Sequence, residues 1–300
     1  MENRDKPIRV ALSGCSCRSA RPPPGRSGVT GRRYADRVSI RSDYPLTTAI
    51  ASRLFAPGVV DSTSDELARR LVDDPALPDG TTVVSAAQRG GRGRLGRSWS
   101  APDGTMLALS TLVDVGSIPA SLLGWLPLLS GVAVADALED VAPGIGARLK
   151  WPNDVLVSGG KIAGILCELR EGSPLRAIVG IGINTGMTED QRPVSTAGSL
   201  AMEGVDGVPD DRLASAVLAR LGALVGDWRD AGGDPVGSGI AARVDSLCQT
   251  LGLRVRAELP SAELMGTALR IDGEGRLVIG VDGAAEQAVS AADITHLRAL

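Results

Sequence analysis

The sequence predicts a mixed α/β (α+β) fold for residues 45–248, followed by a small β-barrel over residues 249–300. In the first region strand-like apolar runs alternate with long helical patterns, which is typical of a sheet covered by helices. After residue 252 the pattern changes to short alternating runs separated by Gly and Asp turns, as in small antiparallel barrels. With 300 residues, 43% of them hydrophobic, the chain has enough apolar side chains for such a core.

The first 44 residues differ in composition from the rest. They hold ten Lys and Arg against four Asp and Glu, and they include a run of three prolines. Because the segment has almost no periodic apolar signal, we expect a disordered basic tail. Residues 45–300 hold 22 basic against 31 acidic side chains. The basic surface of a typical nucleic-acid-binding protein is therefore not expected there.

Cysteine and histidine are scarce. Four cysteines and a single histidine, His296, are too few for a disulfide framework or a His/Cys metal cluster. We therefore expect a protein of the reducing cytoplasm. No apolar run approaches the roughly 18 residues of a membrane span, so a membrane partner is not expected either.

A helix is predicted to start near residue 63. Thr63 and Glu66 are three positions apart, as in a capping box, and they precede an apolar periodic run. On spacing alone, Ser62 and Thr63 are explained as caps and need no further role.

The next elements flank a basic loop. Residues 81–87 and 105–113 are apolar and β-branched and predict two strands. Residues 121–141 carry apolar side chains at helical spacing, which predicts a long buried helix with Trp125 in the core.

The second half of the chain predicts a hairpin, a third strand, a helix and the barrel. The hairpin covers residues 155–157 and 161–169, and the third strand residues 175–184. A turn-rich loop over residues 185–207 precedes a helix over residues 209–230, which starts at Pro209 and stops at Gly232-Gly233. The barrel strands are expected at residues 253–259, 264–271, 277–281 and 286–290.

The most informative stretch is the Gly/Arg loop, residues 88–99, which contains four arginines and four glycines. Residues 91–96 match the dinucleotide-binding pattern G-x-G-x-x-G, but that pattern requires a helix at its third glycine. Pro-Asp-Gly at residues 102–104 and then a strand follow almost at once, so no helix fits. A solvated basic turn is a common alternative, whereas Trp99 favours a loop that closes over an anion.

Two further clusters accompany the loop. KWPND at residues 150–154 combines a proline with Asn and Asp and predicts a shaped corner between strands. Lys161 begins the next strand, and from position alone it is either a solubilising edge residue or a fixed ammonium aimed at an anion. Gly180 and Gly182 leave one face of a strand bare, which often marks close approach of a ligand or another backbone.

Together these clusters predict a site with several fixed cations and glycine-rich walls. No nucleophile with a partner base is expected, because His296 is the only imidazole and its place in the C-terminal module favours a structural role. Fixed cations without a nucleophile suit phosphoryl or adenylyl chemistry, in which charge stabilisation and alignment supply most of the catalysis. The residues alone therefore indicate a protein that binds or activates an anionic small molecule.

The motifs also resemble those of the biotin–protein ligases, the biotin–[acetyl-CoA-carboxylase] ligases. The resemblance rests on five motifs in the family's order and approximate spacing: Ser62-Thr63, Gln88 with GRGRLGRSW (residues 91–99), KWPNDV (150–155), KIAGIL with Glu168 (161–168) and GIGIN (180–184). It covers about residues 55–300, and the five motifs together are highly specific.

The resemblance implies a catalytic domain similar to that of class II synthetases, with a small SH3-like C-terminal barrel. It also implies a two-step reaction. Biotin and MgATP give biotinyl-5′-AMP and pyrophosphate, and biotin then passes to a lysine of a biotin carboxyl carrier domain of a biotin-dependent carboxylase. ATP, Mg²⁺ and biotin would be the small molecules bound.

The same resemblance implies roles for individual residues. Those expected to line the biotin pocket are Ser62, Thr63, Gln88, Gly91, Arg92, Lys161, Gly164 and Gly180. Those expected on the nucleotide side are Arg94, Arg97, Trp99, Lys150, Asn153 and Asn184. Lys161, Arg94 and Arg97 are the expected catalytic residues. Lys161 would neutralise the carboxylate and then the acyl phosphate, Arg94 would help retain the adenylate, and Asp154 would bind Mg²⁺.

The sequence departs from the family pattern in two places. Ser64 stands where the family usually has Asn after Ser-Thr, and the stretch before Val60 matches poorly, which leaves the first strand without a prediction. No winged-helix domain is predicted, so the resemblance is to the monofunctional class, a monomer or homodimer without a nucleic-acid partner.

Two alternatives remain open. Lipoate ligases and octanoyltransferases share the catalytic fold, although the Gly/Arg loop with KWPND favours biotin. A non-catalytic module that binds anions or nucleic acid could use the same arginines. The acidic body and the lack of interleaved aromatic side chains near the loop argue against that module.

Overall fold

The computed structural model describes residues 43–259, 262–290 and 293–296. The α-helices in these ranges are α1 Pro45–Ile50, α2 Thr63–Asp73, α3 Leu126–Val141, α4 Asp210–Asp230 and α5 Ile240–Leu247. The strands are β1 Arg53–Phe55, β2 Val59–Val60, β3 Thr81–Ser85, β4 Ala87–Gln88, β5 Met106–Asp114, β6 Arg148–Lys150, β7 Asp154–Val157, β8 Gly160–Arg170, β9 Arg176–Asn184, β10 Arg254–Glu258, β11 Glu263–Ile271, β12 Leu277–Val281, β13 Gln287–Val289 and β14 Asp293–His296. Apart from Asp43 and Tyr44, the tail expected over residues 1–44 lies outside the described residues.

A seven-stranded sheet forms the centre of the fold, with strand order β1-β3-β5-β9-β8-β7-β6. β1 pairs with β3 in parallel, and the other neighbouring strands are antiparallel. β2 and β4 pair in parallel as a separate two-stranded ribbon. The mixed α/β prediction is confirmed.

Helices cover both faces of this sheet. On one face Leu67 of α2 packs with Val83, Leu112 and Ile178 of three neighbouring strands. α3 and α4 pack against each other, and α3 lies against strands β6 to β8. Adjacent strand residues such as Leu112 and Val113 belong to different apolar clusters, because successive strand side chains point to opposite faces.

The helix predicted near Thr63 is present, but its cap differs from the prediction. The Ser62 hydroxyl accepts a hydrogen bond from the Asp65 N–H at 3.3 Å. Glu66 pairs with Arg70 at 2.6 Å instead of closing a capping box with Thr63. The capping-box prediction was therefore wrong: Ser62 is the N-cap, and the Thr63 hydroxyl instead contacts Ser110 of the sheet.

The long helix expected over residues 121–141 is present in two parts. A 3₁₀ helix, Ala120–Trp125, precedes α3. Trp125 is buried as predicted, and its Nε1–H donates to the Gly273 carbonyl at 2.9 Å. By length and composition Ala120–Val141 could cross a membrane, which corrects the expectation that no apolar run approaches that length. However, 67% of its most apolar window is buried inside the protein, so the core explains its apolarity.

The predicted hairpin and corner are both present. β7 and β8 pair in antiparallel register, and Ser158 and Gly159 have φ values of 49° and 85°, as a two-residue type I′ turn requires. Residues 151–153 form the turn between β6 and β7. This corner therefore lies at one edge of the sheet, beside the start of β8.

α4 begins after Pro209 as predicted, with Leu213, Val217 and Trp228 among its buried residues. The preceding loop contains two 3₁₀ helices, Glu189–Gln191 and Ala201–Glu203. α5 and β14 were not predicted. Both are short, and α5 buries only two side chains, so the sequence carries too little periodic signal to identify them.

The C-terminal strands form a five-stranded antiparallel sheet in the order β13-β12-β11-β10-β14. This agrees with the predicted small C-terminal β domain. Its buried residues, among them Val255, Ala257 and Ile279, join the same apolar cluster as α3 and α4. The boundary between residues 248 and 249 stays a prediction.

Candidate active site

The three sequence clusters line one cavity of about 330 Å³. Its walls come from the start of α2, the Gly/Arg loop, the corner at residues 150–154 and the facing strands β8 and β9. The predicted site residues that line it are Ser62, Thr63, Gln88, Arg92, Arg94, Arg97, Trp99, Lys150, Asn153, Asp154, Lys161, Gly164 and Gly180. Gly91 and Asn184 do not line it.

One part of the cavity is a buried cluster of hydroxyl and amide groups. The Gln88 Oε1 accepts from the Thr63 N–H at 2.7 Å and from the Thr63 hydroxyl at 3.2 Å. The Ser110 Oγ lies 2.8 Å from Thr63 Oγ1 and 2.9 Å from Ser64 Oγ. Sequence reasoning missed Ser110, because it lies on β5, 47 residues from Thr63.

Gly180 belongs to the same part of the cavity. A Cβ at this position would lie 2.5 Å from the Ser64 hydroxyl, which is shorter than any ordinary contact. The glycine therefore allows Ser64 to pack directly on β9. Gly180 pairs with Ser110 on one side and Leu166 on the other.

The Gly/Arg loop is an ordered turn that folds back on itself. The Trp99 N–H donates to the Gly91 carbonyl at 2.8 Å, and the Gly93 N–H donates to the Arg97 carbonyl at 2.7 Å. A Cβ on Gly91 would lie 2.4 Å from the Trp99 carbonyl oxygen. Gly91 is thus required for the closure of the loop on Trp99, although it does not line the cavity.

The Trp99 indole packs on the face of the sheet where Gly164 and Gly182 have no side chain. A Cβ on Gly182 would lie 2.6 Å from Trp99 Nε1, and one on Gly164 would lie 3.0 Å from Trp99 Cζ3. Gly164 and Gly182 are paired neighbours on β8 and β9. The buried Trp99 Nε1–H has no hydrogen-bond partner among the described residues, and a ligand could satisfy it.

The cationic part of the cavity begins at Lys161. Its ammonium lies 2.6 Å from Asp154 Oδ1 and 5.3 Å from the Trp99 ring centroid. Arg94 donates to the Asn153 Oδ1 at 3.2 Å. Asp154 and Asn153 of the predicted corner therefore hold Lys161 and Arg94 in place. This arrangement places fixed positive charge beside the Trp99 indole.

Arg92 lines the cavity and also contacts two carboxylates. One of its terminal nitrogens lies 2.5 Å from Asp65 Oδ1 and 3.0 Å from Glu168 Oε2. The loop is thereby tied to the start of α2 and to β8. Sequence reasoning assigned Asp65 no role in the site, because its partner is 27 residues away.

Asn184 holds the backbone behind the cavity. It is 5% exposed, and its Nδ2 donates to the Gly198 carbonyl at 2.8 Å and to the Lys161 carbonyl at 3.3 Å. Asn153 also contacts backbone, since its Nδ2 donates to the Ile165 carbonyl at 2.7 Å. These two amides therefore fix the strand that carries Lys161.

The lining residues include neither a cysteine nor a histidine. The nearest thiol in sequence, Cys167 on β8, is half-buried and does not line the cavity, and desolvation of the thiol raises its pKa to about 12. It therefore stays protonated and unreactive at neutral pH. Within the described ranges, no group of three or more His, Cys, Asp or Glu side chains forms a metal site.

The order of groups along β9 gives the cavity a direction. The hydroxyl cluster meets β9 at Gly180, and the indole of Trp99 meets it at Gly182, about 7 Å further along the strand. Lys161 and Asp154 lie beside the indole, next to Gly164, which pairs with Gly182 across the sheet. The cavity thus suits an elongated molecule with a polar head, an apolar middle and an anionic end.

Comparisons with known proteins identify chains with these features. The model of the Biotin/lipoate A/B protein ligase family matches residues 57–184. The chain is 38% identical over 241 residues to the biotin–[acetyl-CoA-carboxylase] ligase of Mycobacterium tuberculosis, covering 79% of this chain and 86% of that protein. It is 31% identical over 229 residues to the bifunctional ligase/repressor BirA of Escherichia coli, covering 75% of this chain and 68% of that protein.

Solved structures give the same result. The biotin protein ligase from Aquifex aeolicus in complex with biotin and ATP superposes with a TM-score of 0.67 at 27% identity, covering 83% of this chain and all of that one. The biotin protein ligase from Leishmania major in complex with biotinyl-5-AMP superposes with a TM-score of 0.55 at 26% identity, covering 80% and 99% of the two chains.

Proposed function

The chain belongs to the biotin/lipoate A/B protein ligase family, and we propose that it is an ATP-dependent biotin–protein ligase. Biotin and ATP give biotinyl-5′-AMP and pyrophosphate in the first step. In the second, a lysine amine of a biotin carboxyl carrier domain attacks the acyl carbon, the amide forms and AMP leaves. The observation that carries the proposal is the single cavity in which the hydroxyl cluster, the indole and the cations follow one another.

The hydroxyl cluster supports biotin over lipoate or octanoate. A ureido ring offers two N–H donors and a carbonyl acceptor, which can pair with the hydroxyls of Thr63 and Ser64 and with the Gln88 amide on the cavity wall. A dithiolane or an alkyl chain offers no such groups and could make no hydrogen bond to this polar wall of the cavity. A site built to hydrogen-bond its substrate discriminates against analogues that lack the matching groups, so the cluster supports selection of the ureido acid.

The cations would supply the charge stabilisation of the first step. A carboxylate and a triphosphate repel one another, and a fixed ammonium between them lowers that repulsion in a site sheltered from water. Lys161 is placed for this role, since its partner is the carboxylate of Asp154 and a bound anion could replace that partner. Arg94 and Arg97 line the same cavity from the loop and would cover the adenylate.

The nucleotide would lie along the corner and the loop. Trp99, Lys150 and Asn153 line this part of the cavity and offer a flat indole, a cation and an amide to the purine and phosphates. Asn184 does not line the cavity and would act indirectly, through its hydrogen bond to the Lys161 carbonyl. Gly91 would act by closing the loop on Trp99.

Magnesium would enter with the nucleotide. Mg²⁺ in nucleotide sites is usually held by one or two carboxylates together with phosphate oxygens, and Asp154 offers one carboxylate at the cavity wall. Its contact with Lys161 would then be exchanged for the metal. Bound Mg²⁺ supplies positive charge to the phosphates, while the protein side chains orient the carboxylate.

Transfer of labelled biotin onto a purified carrier domain tests the proposal. Incubation with ATP and biotin should label the domain on one lysine, and the domain with that lysine changed to arginine should stay unlabelled. Lipoate and octanoate serve as competing acids in parallel reactions. Labelling with lipoate or octanoate in place of biotin would move the protein to the sister ligases of the same fold.

A further inference from the structure

The corner at residues 150–154 is supported from behind by the C-terminal part of the chain. Trp151 is 1% exposed and lines the cavity. Its backbone N–H donates to the Thr250 hydroxyl at 3.0 Å. Thr250 is fully buried, and the neighbouring Gln249 N–H donates to the Leu149 carbonyl at 2.9 Å. The segment before β10 thus lies directly against the strand that leads into the corner.

The hydroxyl of Thr250 also contacts the only histidine of the chain. Thr250 Oγ1 lies 3.1 Å from His296 Nε2 at the end of β14. Since Oγ1 accepts from Trp151, its own hydrogen is available to donate to an unprotonated Nε2. Burial and the charge of Lys150 lower the pKa of His296, which favours that neutral form.

A second contact ties the same corner to the C-terminal sheet. The Trp151 indole N–H donates to the Gly275 carbonyl at 3.0 Å, and the Trp125 indole N–H donates to the Gly273 carbonyl at 2.9 Å. Both carbonyls belong to the turn between β11 and β12. A Cβ on Gly275 would lie 2.9 Å from the Gly124 backbone, so this turn approaches the start of α3 more closely than a side chain allows.

These contacts lead from the C-terminal sheet to the side chains of the cavity. Trp151 is followed after Pro152 by Asn153, which accepts from Arg94, and by Asp154, which pairs with Lys161. A displacement of the Trp151 backbone would therefore move two of the groups placed on the nucleotide side. The hydroxyl cluster at Thr63 and Gln88 lies on other elements and would stay in place.

We propose that Thr250 and His296 are positioning residues for nucleotide binding, which act by fixing the Trp151 backbone behind the corner at residues 150–154. This inference rests on the proposed function in that the nucleotide is taken to be ATP. It gives the C-terminal sheet a specific part in the first reaction step. It also assigns the single histidine a role that involves no proton transfer to substrate.

Paired substitutions test the proposal with the full-length protein. Thr250→Val removes the hydroxyl while keeping the shape, and Thr250→Ser keeps the hydroxyl. His296→Phe removes the acceptor, and His296→Gln supplies another acceptor. Thr82→Val is the matched control, because the Thr82 hydroxyl is equally buried and donates to Thr111 at 2.9 Å but does not line or support the cavity. The measurements are the Kd of ATP and of biotin by calorimetric titration, and the unfolding free energy.

Thr250→Val and His296→Phe should weaken ATP binding by about tenfold, because the corner at residues 150–154 would no longer be held in the position that contacts the nucleotide. Biotin binding should change by less than about twofold, and Thr250→Ser and His296→Gln should recover most of the ATP affinity. Thr82→Val should lower stability without a change in either Kd. Equal loss of ATP and biotin affinity, or unchanged ATP affinity in Thr250→Val, would overturn the proposal. Because ATP binding is measured directly, this result is separate from whether biotin is the acid activated.

Discussion

Lys161 and Asp154 form the ion pair on which the charge of the cavity depends. Their charged atoms are 2.6 Å apart, and both side chains are less than one third exposed. A bound carboxylate or phosphate could take the place of Asp154 beside the ammonium. The residue that matters most for adenylation in this account is therefore Lys161.

Lys161→Ala should reduce the rate of adenylate formation by at least about a hundredfold, because the two anions lose their shared counter-charge. The rate can be followed as biotin-dependent release of pyrophosphate. Arg220→Ala is a suitable control, since Arg220 pairs with Asp140 in an exposed contact and should leave the rate unchanged. Near-normal adenylation in Lys161→Ala would remove the residue from the mechanism.

Arg94 is expected to retain the adenylate once it has formed. In Arg94→Gly the release of biotinyl-5′-AMP should be about tenfold faster, because a charge-assisted contact is lost. Biotin should then appear on lysines of bystander proteins, which mass spectrometry detects. Arg89→Gly is the matched control from the same loop, as Arg89 is 69% exposed and faces Asp103. Labelling confined to the carrier domain in both variants would contradict the retention role.

At the scale of single residues, the sequence predicted which side chains line the cavity better than it predicted their partners. KWPND and the Gly/Arg loop are recognisable because the residues are adjacent in the chain. Ser110 and Asp65 were missed, and Glu168 was recognised only as a motif residue, because each gains its partner only when distant elements pack. Gly91 and Asn184 are near the site in sequence, yet they support it through the backbone.

Strand β9 and the Gly/Arg loop fit together. Gly182 leaves the face of β9 without a side chain, and the Trp99 indole of the loop covers that face. The glycines of β9 were predicted to admit a ligand or another backbone, and in this structure a side chain, Trp99, occupies that face. The packing is specific to position. At Gly182 a methyl group has no room, whereas at Gly222 in α4 nothing lies within 4 Å.

Gly182→Ala should displace Trp99 and loosen the Gly/Arg loop, with a loss of about 1–3 kcal/mol in the free energy of unfolding, as for other overpacked sites. Gly222→Ala should instead stabilise the protein by about 0.5–1 kcal/mol, because alanine is the better helix residue. Urea unfolding measures both effects, and limited trypsin digestion reports the exposure of the loop arginines. A Gly182→Ala protein as stable and as resistant to trypsin as the wild type would contradict the packing of Trp99 on β9.

At the scale of elements, periodicity and turn residues predicted most of the long strands and helices. α4 has an apolar stripe bounded by Pro209 and by Gly232-Gly233. The β7–β8 hairpin has two apolar runs separated by a Ser-Gly turn. The division of the helix predicted over residues 121–141 does have a signal, Pro127 in the first turn of α3, because proline lacks an N–H and favours helix starts, but the apolar periodicity alone did not reveal it. α5 and β14 are too short for a periodic pattern to develop.

The C-terminal sheet and the main sheet share one apolar cluster, and His296 lies where they meet. Its partners on the facing elements are Thr250 and the charge of Lys150. Because the folded protein holds its pKa below the usual 6.5, the unfolded chain binds a proton that the folded one does not. Stability from this group is complete above pH 6.5 and is lost as the pH falls through the lowered pKa.

The unfolding free energy should therefore decrease on acidification below pH 6.5, and the decrease should be smaller in His296→Gln. Urea unfolding at a series of pH values from 8 to 5 measures the unfolding free energy of both proteins. Subtracting one from the other removes the contributions of the carboxylates that the two proteins share. The same pH dependence in wild type and variant would show that His296 is equally protonated in the folded and unfolded states.

At the scale of the whole molecule, the sequence predicted the mixed α/β fold and the small C-terminal β domain, but not how closely the two are joined. That joining depends on Trp125 and Trp151, which the sequence could identify only as apolar. Their indole N–H groups reach carbonyls more than a hundred residues away. Contacts between such distant positions leave no pattern in a local stretch of sequence.

ATP–pyrophosphate exchange with biotin, lipoate and octanoate as parallel acids distinguishes biotin adenylation from the alternatives. We predict exchange that depends on biotin and on ATP, with no more than background exchange for the other two acids. Exchange with lipoate in place of biotin would contradict the assignment of the hydroxyl cluster to a ureido ring. Absence of exchange with all three acids would contradict the adenylation chemistry itself.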